Sequence, residues 1–239
     1  RQDELGQLAR DFNKMAEQLE SMWGAQKRLL ADVSHELRSP LARLQMALGL
    51  AHQQNVDPAT LSRVEREADR MEALVSQLLT LSRAEAGEAN MQKHALSLVL
   101  NDVLTDANFE VANKNKQLKI DDIPKKTVVI DSMMFCRAVE NVLRNAIRHS
   151  KLVTHIAFSE DAQHWCIHIT DDGDGLTIEE CERIFSPFYR ATLARERESG
   201  GVGLGLSIAK AAVELHHGRI IAEPAERGGL RVTMSFPKL

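Results

Sequence analysis

The sequence predicts two domains of different class, an all-α antiparallel helical hairpin followed by an α+β sandwich. The hairpin is indicated by apolar residues that recur every three or four positions in the N-terminal part of the chain. The sandwich is indicated by short alternating segments, typical of strands, that interleave with helical segments after about Met91 without regular βαβ repetition. Because each helix of a hairpin leaves part of its apolar stripe uncovered, we expect two copies to form a four-helix bundle.

The composition excludes several classes of protein. The chain has 239 residues, of which 44% are hydrophobic and 27% charged, enough for a sizeable core. A net charge of −4 and an aromatic content of 4% argue against nucleic-acid binding. The three cysteines are widely spaced, form no metal motif and are interpreted as reduced thiols. No apolar run reaches the roughly 20 residues that cross a bilayer, and we interpret the abrupt helical start as a fragment of a longer protein.

The first long helical segment carries an exposed histidine. At about 100° per residue, His35 lies roughly 200° from Val33 and roughly 160° from Leu37, so it faces away from the apolar stripe. An exposed imidazole beside the Glu36 carboxylate suits a nucleophile or a proton carrier, although a lone His-Glu pair is more often an ordinary surface feature. Pro40 is expected to bend the helix just after His35. The stripe consists of Leu8, Phe12, Met15, Leu19, Met22, Leu29, Val33, Leu37, Leu41, Leu44 and Leu48.

A second helix is predicted to begin at Pro58, with Asp57 as its N-cap, and to run to about Ala86. Gly87 is suited to end it. Its predicted buried stripe comprises Leu61, Val64, Ala68, Met71, Val75 and Leu78.

The remaining sequence predicts the elements of the sandwich. The predicted strands are 118–120, 127–130, 153–158, 165–170, 219–222 and 230–236. The predicted helices are 98–113, 131–149 with Asp131 as N-cap, 177–185 with a capping box, and 203–217.

Three polar motifs in this region suit a nucleotide. Asn141, Asn145 and Arg148 are spaced i, i+4 and i+7 on one helix edge, where amide oxygens can ligate Mg²⁺ and a guanidinium can pair with phosphate. A solvated polar face is the alternative. The second motif, residues 171–175, follows a strand, and the Asp171 carboxylate there can accept a hydrogen bond from an amine such as adenine N6. An ordinary turn is the alternative.

The third motif is a glycine-rich loop, residues 200–207, that leads into a helix. Free N–H groups at a helix N-terminus bind anions. The loop lacks the Lys of a Walker A motif and the preceding strand of a Rossmann fingerprint. The charged stretch 191–199 before it is interpreted as a lid over a phosphate chain.

The order of these motifs, from the exposed His to the Asn helix, the Asp-Gly turn and the Gly-rich loop, resembles the two-component sensor histidine kinases over essentially the whole chain. Residues 1–20, with Asp-Glu-Leu-Gly and Phe-Asn-Lys-Met, resemble the C-terminal part of a HAMP signalling domain. Residues 21–88 resemble the dimerisation and histidine phosphotransfer domain, and 89–239 a Bergerat-type (GHKL) ATP-binding domain. Residues 26–35 and 194–201 are most similar to the CpxA-type envelope-stress kinases.

The resemblance implies roles for individual residues. His35 would accept the phosphoryl group with Glu36 as general base, and Ser39 would act when a partner regulator is dephosphorylated. Asn141 would bind Mg²⁺ and Asp171 the adenine amine. The other nucleotide-binding positions would be Asn145, Arg148, His149, Gly173, Gly175, Arg190, Gly201, Gly203, Leu204 and Gly205. His149 replaces a frequent Tyr, and Ser39 replaces the commonest residue, Thr.

The implied function is ATP- and Mg²⁺-dependent autophosphorylation of a homodimer, followed by transfer to an aspartate of a response regulator. In this family HAMP domains follow a transmembrane helix, so the chain would be the cytoplasmic portion of a bacterial inner-membrane protein. Two alternatives remain at this point. The first is another ATPase with the same pocket, such as a chaperone or a mismatch-repair clamp, and the second is a helical signalling module with a degenerate pocket.

Overall fold

The computed structural model describes residues 39–40, 42–44, 46–47, 49–50, 58–85, 89–191, 203–226 and 228–238. His35, Glu36, Gly201 and the predicted HAMP segment lie outside the described residues. The chain divides into two compact units, Arg1–Ala73 and Leu74–Leu239. Of the described helices, none is long and apolar enough to cross a membrane.

The N-terminal part is helical wherever it is described. The described residues between 39 and 50 are helical, and helix α1 follows at Pro58–Glu85. The predicted start of this helix at Pro58 is confirmed. Two positions of the predicted stripe are not covered within the single chain, because Ala68 is exposed and Val75 is 46% exposed.

Among the described side chains of α1, the buried ones are Leu74, Leu81 and Ala84. Met71 and Leu78 are half-buried and continue the same line. The inward face therefore follows an alternation of three and four through residues 71, 74, 78 and 81, the spacing of a heptad seam. Val75 lies about 100° around the helix from Leu74 and falls beside this seam.

The C-terminal part is the predicted α+β sandwich. Its strands are β1 (Gln92–Ala95), β2 (Gln117–Ile120), β3 (Thr127–Ile130), β4 (Val153–Glu160), β5 (His164–Asp171), β6 (Arg219–Pro224) and β7 (Leu230–Pro237). Its helices are α2 (Leu96–Asn113), α3 (Ser132–His149), α4 (Ile178–Arg183) and α5 (Gly205–Leu215). The prediction missed β1, which pairs with β3 in a separate antiparallel two-stranded sheet.

The main sheet has five strands in the order β2-β4-β5-β7-β6. Only β2 and β4 pair in parallel, and the other neighbours are antiparallel. Along β5, Trp165, Ile167 and Ile169 point into the core, as the two-residue period of a strand requires. Asp171 ends this inward row, so a carboxylate occupies the last core-facing position of the strand.

Both ends of α3 are fixed by side chains. At its start, the Asp131 carboxylate accepts a hydrogen bond from the Met134 N–H at 3.0 Å, which satisfies one of the unpaired donors of the first turn. The Asp131 N–H in turn donates to Nε2 of the buried His216 at 3.0 Å. At the other end, Lys116 Nζ donates to the carbonyls of Ile147 at 2.7 Å and Ser150 at 2.5 Å. A cation at a helix C-terminus is favourable, and these contacts fix the helix that carries Asn141.

Candidate nucleotide-binding site

The Asp171 carboxylate is the buried polar centre of the site. Asp171 is 4% exposed. Its Oδ1 accepts hydrogen bonds from the N–H groups of Gly173 at 2.9 Å and Leu230 at 3.3 Å. Burial raises the pKa of Asp171 above the usual range, because it outweighs these two hydrogen bonds, which lower the pKa. A carboxylate held in this way suits a ligand that donates a hydrogen bond, such as an exocyclic amine.

Two glycines let the turn after β5 lie close to neighbouring backbone. A Cβ atom at Gly173 would overlap the carbonyl oxygen of His149 and would lie 2.8 Å from Oδ1 of Asp171. Gly175 has a φ of +75°, and a Cβ atom there would lie 2.9 Å from the carbonyl oxygen of Gly229. The turn therefore packs against the end of α3 on one side and the start of β7 on the other, where larger residues would push the backbones apart.

Asp172 is a supporting residue that the sequence did not reveal. Its carboxylate accepts hydrogen bonds from the N–H groups of Lys151, Leu152 and Val153 at 2.7–3.2 Å. Burial alone raises the pKa of Asp172, but these three N–H donors and the N–H of Asp172 itself together outweigh it and hold the pKa below its usual value. Asp172 thus fastens the turn after β5 to the segment between α3 and β4. An Asp-Asp pair at a strand end was the available signal.

Asn141 and Gly205 form the second part of the site. The Asn141 Nδ2 group donates to the carbonyl of Arg137 at 2.8 Å, so its amide oxygen is left as an acceptor. A Cβ atom at Gly205 would lie 3.0 Å from that oxygen. Gly205 therefore allows the N-terminus of α5 to lie directly against Asn141. The predicted ligand residue Leu204 is buried, at 0% exposure, and its carbonyl accepts hydrogen bonds from the Ile208 N–H and the Ser207 hydroxyl.

Gly203 lies against Phe188, in the segment that precedes the predicted lid. It has a φ of +81°, and a Cβ atom there would lie 3.0 Å from Cα of Phe188. The Phe188 N–H donates to the Gly203 carbonyl at 3.0 Å. Tyr189 is stacked by the Arg183 guanidinium at 4.6 Å from its ring centroid. Phe188 and Gly203, which lie before and after the predicted lid, are thus neighbours.

The remaining predicted ligand positions differ in exposure. Asn145 and Arg148 are half-buried on α3, His149 is exposed in its last turn, and Arg190 is exposed after Tyr189. Asn145 and Arg148 lie one and two turns beyond Asn141, as predicted from their spacing. Their contacts with a nucleotide stay a prediction. Ser39 is exposed, in the unit that also contains the undescribed His35.

Comparison with known proteins identifies both parts of the chain. Residues 25–87 match the model of the His Kinase A (phospho-acceptor) domain, and residues 130–239 match that of the Histidine kinase-, DNA gyrase B-, and HSP90-like ATPase. The chain is 38% identical over 234 residues to the sensor histidine kinase CpxA of Escherichia coli K12, an alignment that covers 95% of this chain and 50% of CpxA. The chain therefore spans about half the length of this curated relative.

Solved structures with the same fold include the histidine kinase AdeS of Acinetobacter baumannii, with a TM-score of 0.69 at 22% identity over 85% of this chain and 97% of AdeS. The histidine kinase ThkA in complex with the response regulator TrrA gives a TM-score of 0.68 at 22% identity over 89% of this chain and 61% of ThkA. The phospho-acceptor match excludes the chaperones and repair clamps that share only the ATPase fold. This chain belongs to the sensor histidine kinases of two-component systems, and it resembles CpxA within them.

Proposed function

We propose that this chain transfers the γ-phosphoryl group of ATP to His35 and then passes it to an aspartate of a response regulator. The observation that carries the proposal is the buried Asp171 carboxylate, at 4% exposure, in a domain of the histidine-kinase ATPase family. His35 lies within the segment that matches the phospho-acceptor domain. The domain boundaries proposed for this function are residues 1–20, 21–88 and 89–239.

Asp171 would accept the hydrogen bond of the adenine amine, since its carboxylate is buried and is already oriented by two N–H donors. Gly173 and Gly175 would shape the turn beside the base, because side chains at these positions would meet neighbouring backbone. The His149 ring would lie beside the base, and Asn145, Arg148 and Arg190 would pair with phosphate oxygens. Gly201, Gly203, Leu204 and Gly205 would supply N–H groups at the start of α5.

The donor set also fits Mg²⁺. Amide oxygens are suitable ligands for this hard cation, and phosphate oxygens and water usually complete its coordination shell. Asn141 presents such an oxygen, because its amide nitrogen is engaged by the Arg137 carbonyl. Mg²⁺, when bound, would neutralise charge on the phosphate oxygens of ATP.

Glu36 would accept the proton of one imidazole nitrogen of His35, so that the other nitrogen attacks the γ-phosphorus. The bond from the γ-phosphorus to the β,γ-bridging oxygen breaks, and ADP leaves with its electron pair. Ser39 would act in the opposite reaction, the dephosphorylation of the response regulator. The proposed response-regulator partner is supported by the histidine kinase ThkA, which has this fold and was solved in complex with the response regulator TrrA.

We propose that the active form is a homodimer joined through the hairpin. Three apolar side chains of this part are exposed in the single chain: Met46 at 71%, Leu50 at 53% and Val75 at 46%. Their burial against a second copy would complete a four-helix bundle. Given its likeness to CpxA, we also propose that the chain is the cytoplasmic portion of a bacterial inner-membrane protein.

The test is incubation with radiolabelled ATP and Mg²⁺, compared between wild type and His35→Ala. We expect wild type to gain acid-labile, base-stable phosphate, and His35→Ala to lose it while binding ATP with nearly unchanged affinity. Asp171→Asn is the matched variant in the other domain, and it should lose ATP affinity instead. Labelling of His35→Ala at the wild-type level would contradict the proposal, and so would the absence of ATP binding by wild type.

A further inference from the structure

A chain of polar contacts joins Ser39 to helix α1. Arg43 NH1 donates a hydrogen bond to the Ser39 hydroxyl oxygen at 2.6 Å. Arg43 Nε lies 3.2 Å from Oε1 of Glu67 on α1. Arg70 NH1 lies 3.1 Å from the same oxygen. The Glu67 carboxylate therefore holds the guanidinium that contacts Ser39.

Sequence spacing relates Arg43 to the predicted phospho-acceptor, His35. Residues 35, 39 and 43 are each four apart, so on a continuous helix they drift by only about 40° per step. Arg43 thus contacts Ser39 from the turn that follows it.

The Arg43 contact changes what the Ser39 hydroxyl can do. A hydroxyl has one proton and two acceptor lone pairs, and it rotates freely when nothing holds it. Arg43 occupies one lone pair, which leaves the proton and the second lone pair for other partners. A cationic donor also polarises the hydroxyl, since hydrogen bonds in series strengthen one another. Ser39 is therefore prepared to orient a water molecule or a phosphoryl oxygen.

Stability alone does not account for Glu67. Its second oxygen, Oε2, is buried and lacks a hydrogen-bond partner among the described parts of the chain, which is unfavourable for a carboxylate. Its partners Arg43 and Arg70 are 48% and 51% exposed, and ion pairs with exposed cations contribute little to stability. The Glu67 carboxylate is thus unfavourable for the stability of the fold, but it lies in the position that fixes Arg43.

We propose that Arg43, held by Glu67, is a positioning residue that orients the Ser39 hydroxyl for dephosphorylation of the response regulator. This inference rests on the proposed function of Ser39. In the step concerned, a water oxygen forms a bond to the phosphorus of the regulator's aspartyl phosphate. The bond from phosphorus to the aspartate oxygen breaks, and the aspartate carboxylate leaves with the electron pair. The proton lost by water passes to the released inorganic phosphate or to solvent.

The test compares dephosphorylation with autophosphorylation in the full chain. The probe is the receiver domain that wild type phosphorylates fastest in a panel, phosphorylated beforehand with phosphoramidate. We expect Arg43→Ala and Glu67→Ala to lower the ratio of dephosphorylation rate to autophosphorylation rate by at least about ten-fold, a change of the size expected for losing one oriented hydrogen bond. Glu67→Gln, which keeps an acceptor oxygen for Arg43, should restore part of the ratio. Arg70→Ala is the matched control, because it removes an ion pair to the same oxygen without touching Ser39.

A double-mutant cycle separates positioning from general damage to the helix. If Arg43 acts through Ser39, Arg43→Ala should have almost no further effect on dephosphorylation in a Ser39→Ala background. Additive losses would overturn the inference, and so would an equal loss in Arg70→Ala or a faster dephosphorylation in Arg43→Ala. A wild-type chain that phosphorylates no receiver domain would instead contradict the proposed function itself.

Discussion

Asp171 and Asp172 are adjacent in the chain, but their environments move their pKa values in opposite directions. Asp171 faces the core at the end of β5, and burial raises its pKa. Burial also acts on Asp172, but N–H donors of the segment between α3 and β4 outweigh it and lower its pKa. The alternation of a strand thus separates a carboxylate suited to a ligand from one that fastens the turn.

This difference predicts opposite effects of two isosteric substitutions on stability. A carboxyl group with a raised folded pKa costs stability above that pKa, and the cost disappears as the pH falls. Asp171→Asn should therefore leave the thermal midpoint of the nucleotide-free chain at pH 7 unchanged or raise it, because the amide oxygen still accepts from Gly173 and Leu230. Asp172→Asn should lower the midpoint, because an amide nitrogen would face N–H donors.

Thermal unfolding of the two variants and wild type is the measurement. A lowered folded pKa contributes stability above the unfolded pKa and loses it as the pH falls through the folded pKa. The destabilisation of Asp172→Asn should accordingly shrink in acid. Equal losses of stability in both variants at pH 7 would contradict the assigned environments.

ATP affinity should depend on the protonation of Asp171. The ionised carboxylate is the stronger acceptor for the adenine amine, and burial raises its pKa. Affinity should therefore fall as the pH is lowered, and the fall should begin at a higher pH than an ordinary Asp would give. Isothermal titration across the acid range measures this effect. Asp171→Asn is the control, with affinity weakened by roughly ten- to a hundred-fold at neutral pH and a pH dependence that reports only the titration of the nucleotide.

The places of Asp171 and Asn141 in the fold could be predicted from the sequence because each has a local signature. Asp171 follows a strand in which apolar and polar residues alternate. Asn145 and Arg148 follow Asn141 at helical spacing. The partners of Asp172 could not be predicted, since they are backbone groups about twenty residues earlier in the chain and backbone groups leave no mark in a sequence. Lys116 escaped notice for the same reason, because it caps α3 through carbonyl oxygens.

The errors in the fold have a similar physical origin. Strand β1 was missed because its segment, Gln92–Ala95, is polar and is stabilised by antiparallel pairing with β3. On α1 the single chain covers Leu74 and leaves Val75 exposed, a difference that the sequence does not show because apolar residues on both sides of a heptad seam fit a helical period equally well. Only packing decides which of them is inside.

Asn141→Ala should abolish Mg²⁺-dependent phosphotransfer and should leave ATP binding without Mg²⁺ largely intact. The substitution removes the proposed metal ligand, whereas the proposed adenine contact is made by a different residue, Asp171. Asn141→Asp offers a second variant that keeps a metal-binding oxygen but loses the donor to the Arg137 carbonyl. Autophosphorylation and ATP affinity, each measured with and without Mg²⁺, check the prediction. Equal affinity losses for Asn141→Ala with and without Mg²⁺ would argue against the metal role.

The apolar residues exposed on the hairpin predict the oligomeric state. Val75 is 46% exposed in the single chain, so burying its remaining surface against a second copy contributes about 1 kcal/mol per copy. Val75→Glu would in addition bury an unpaired carboxylate, and because the substitution acts twice in a symmetric interface, the dimer should weaken by at least about a hundred-fold. Phe109→Glu is the matched control, because Phe109 is 71% exposed on α2, outside the hairpin. Multi-angle light scattering at micromolar concentration should give a dimer for wild type and Phe109→Glu, and a monomer for Val75→Glu. A dimeric Val75→Glu chain would show that the exposed side of α1 is not the dimer interface.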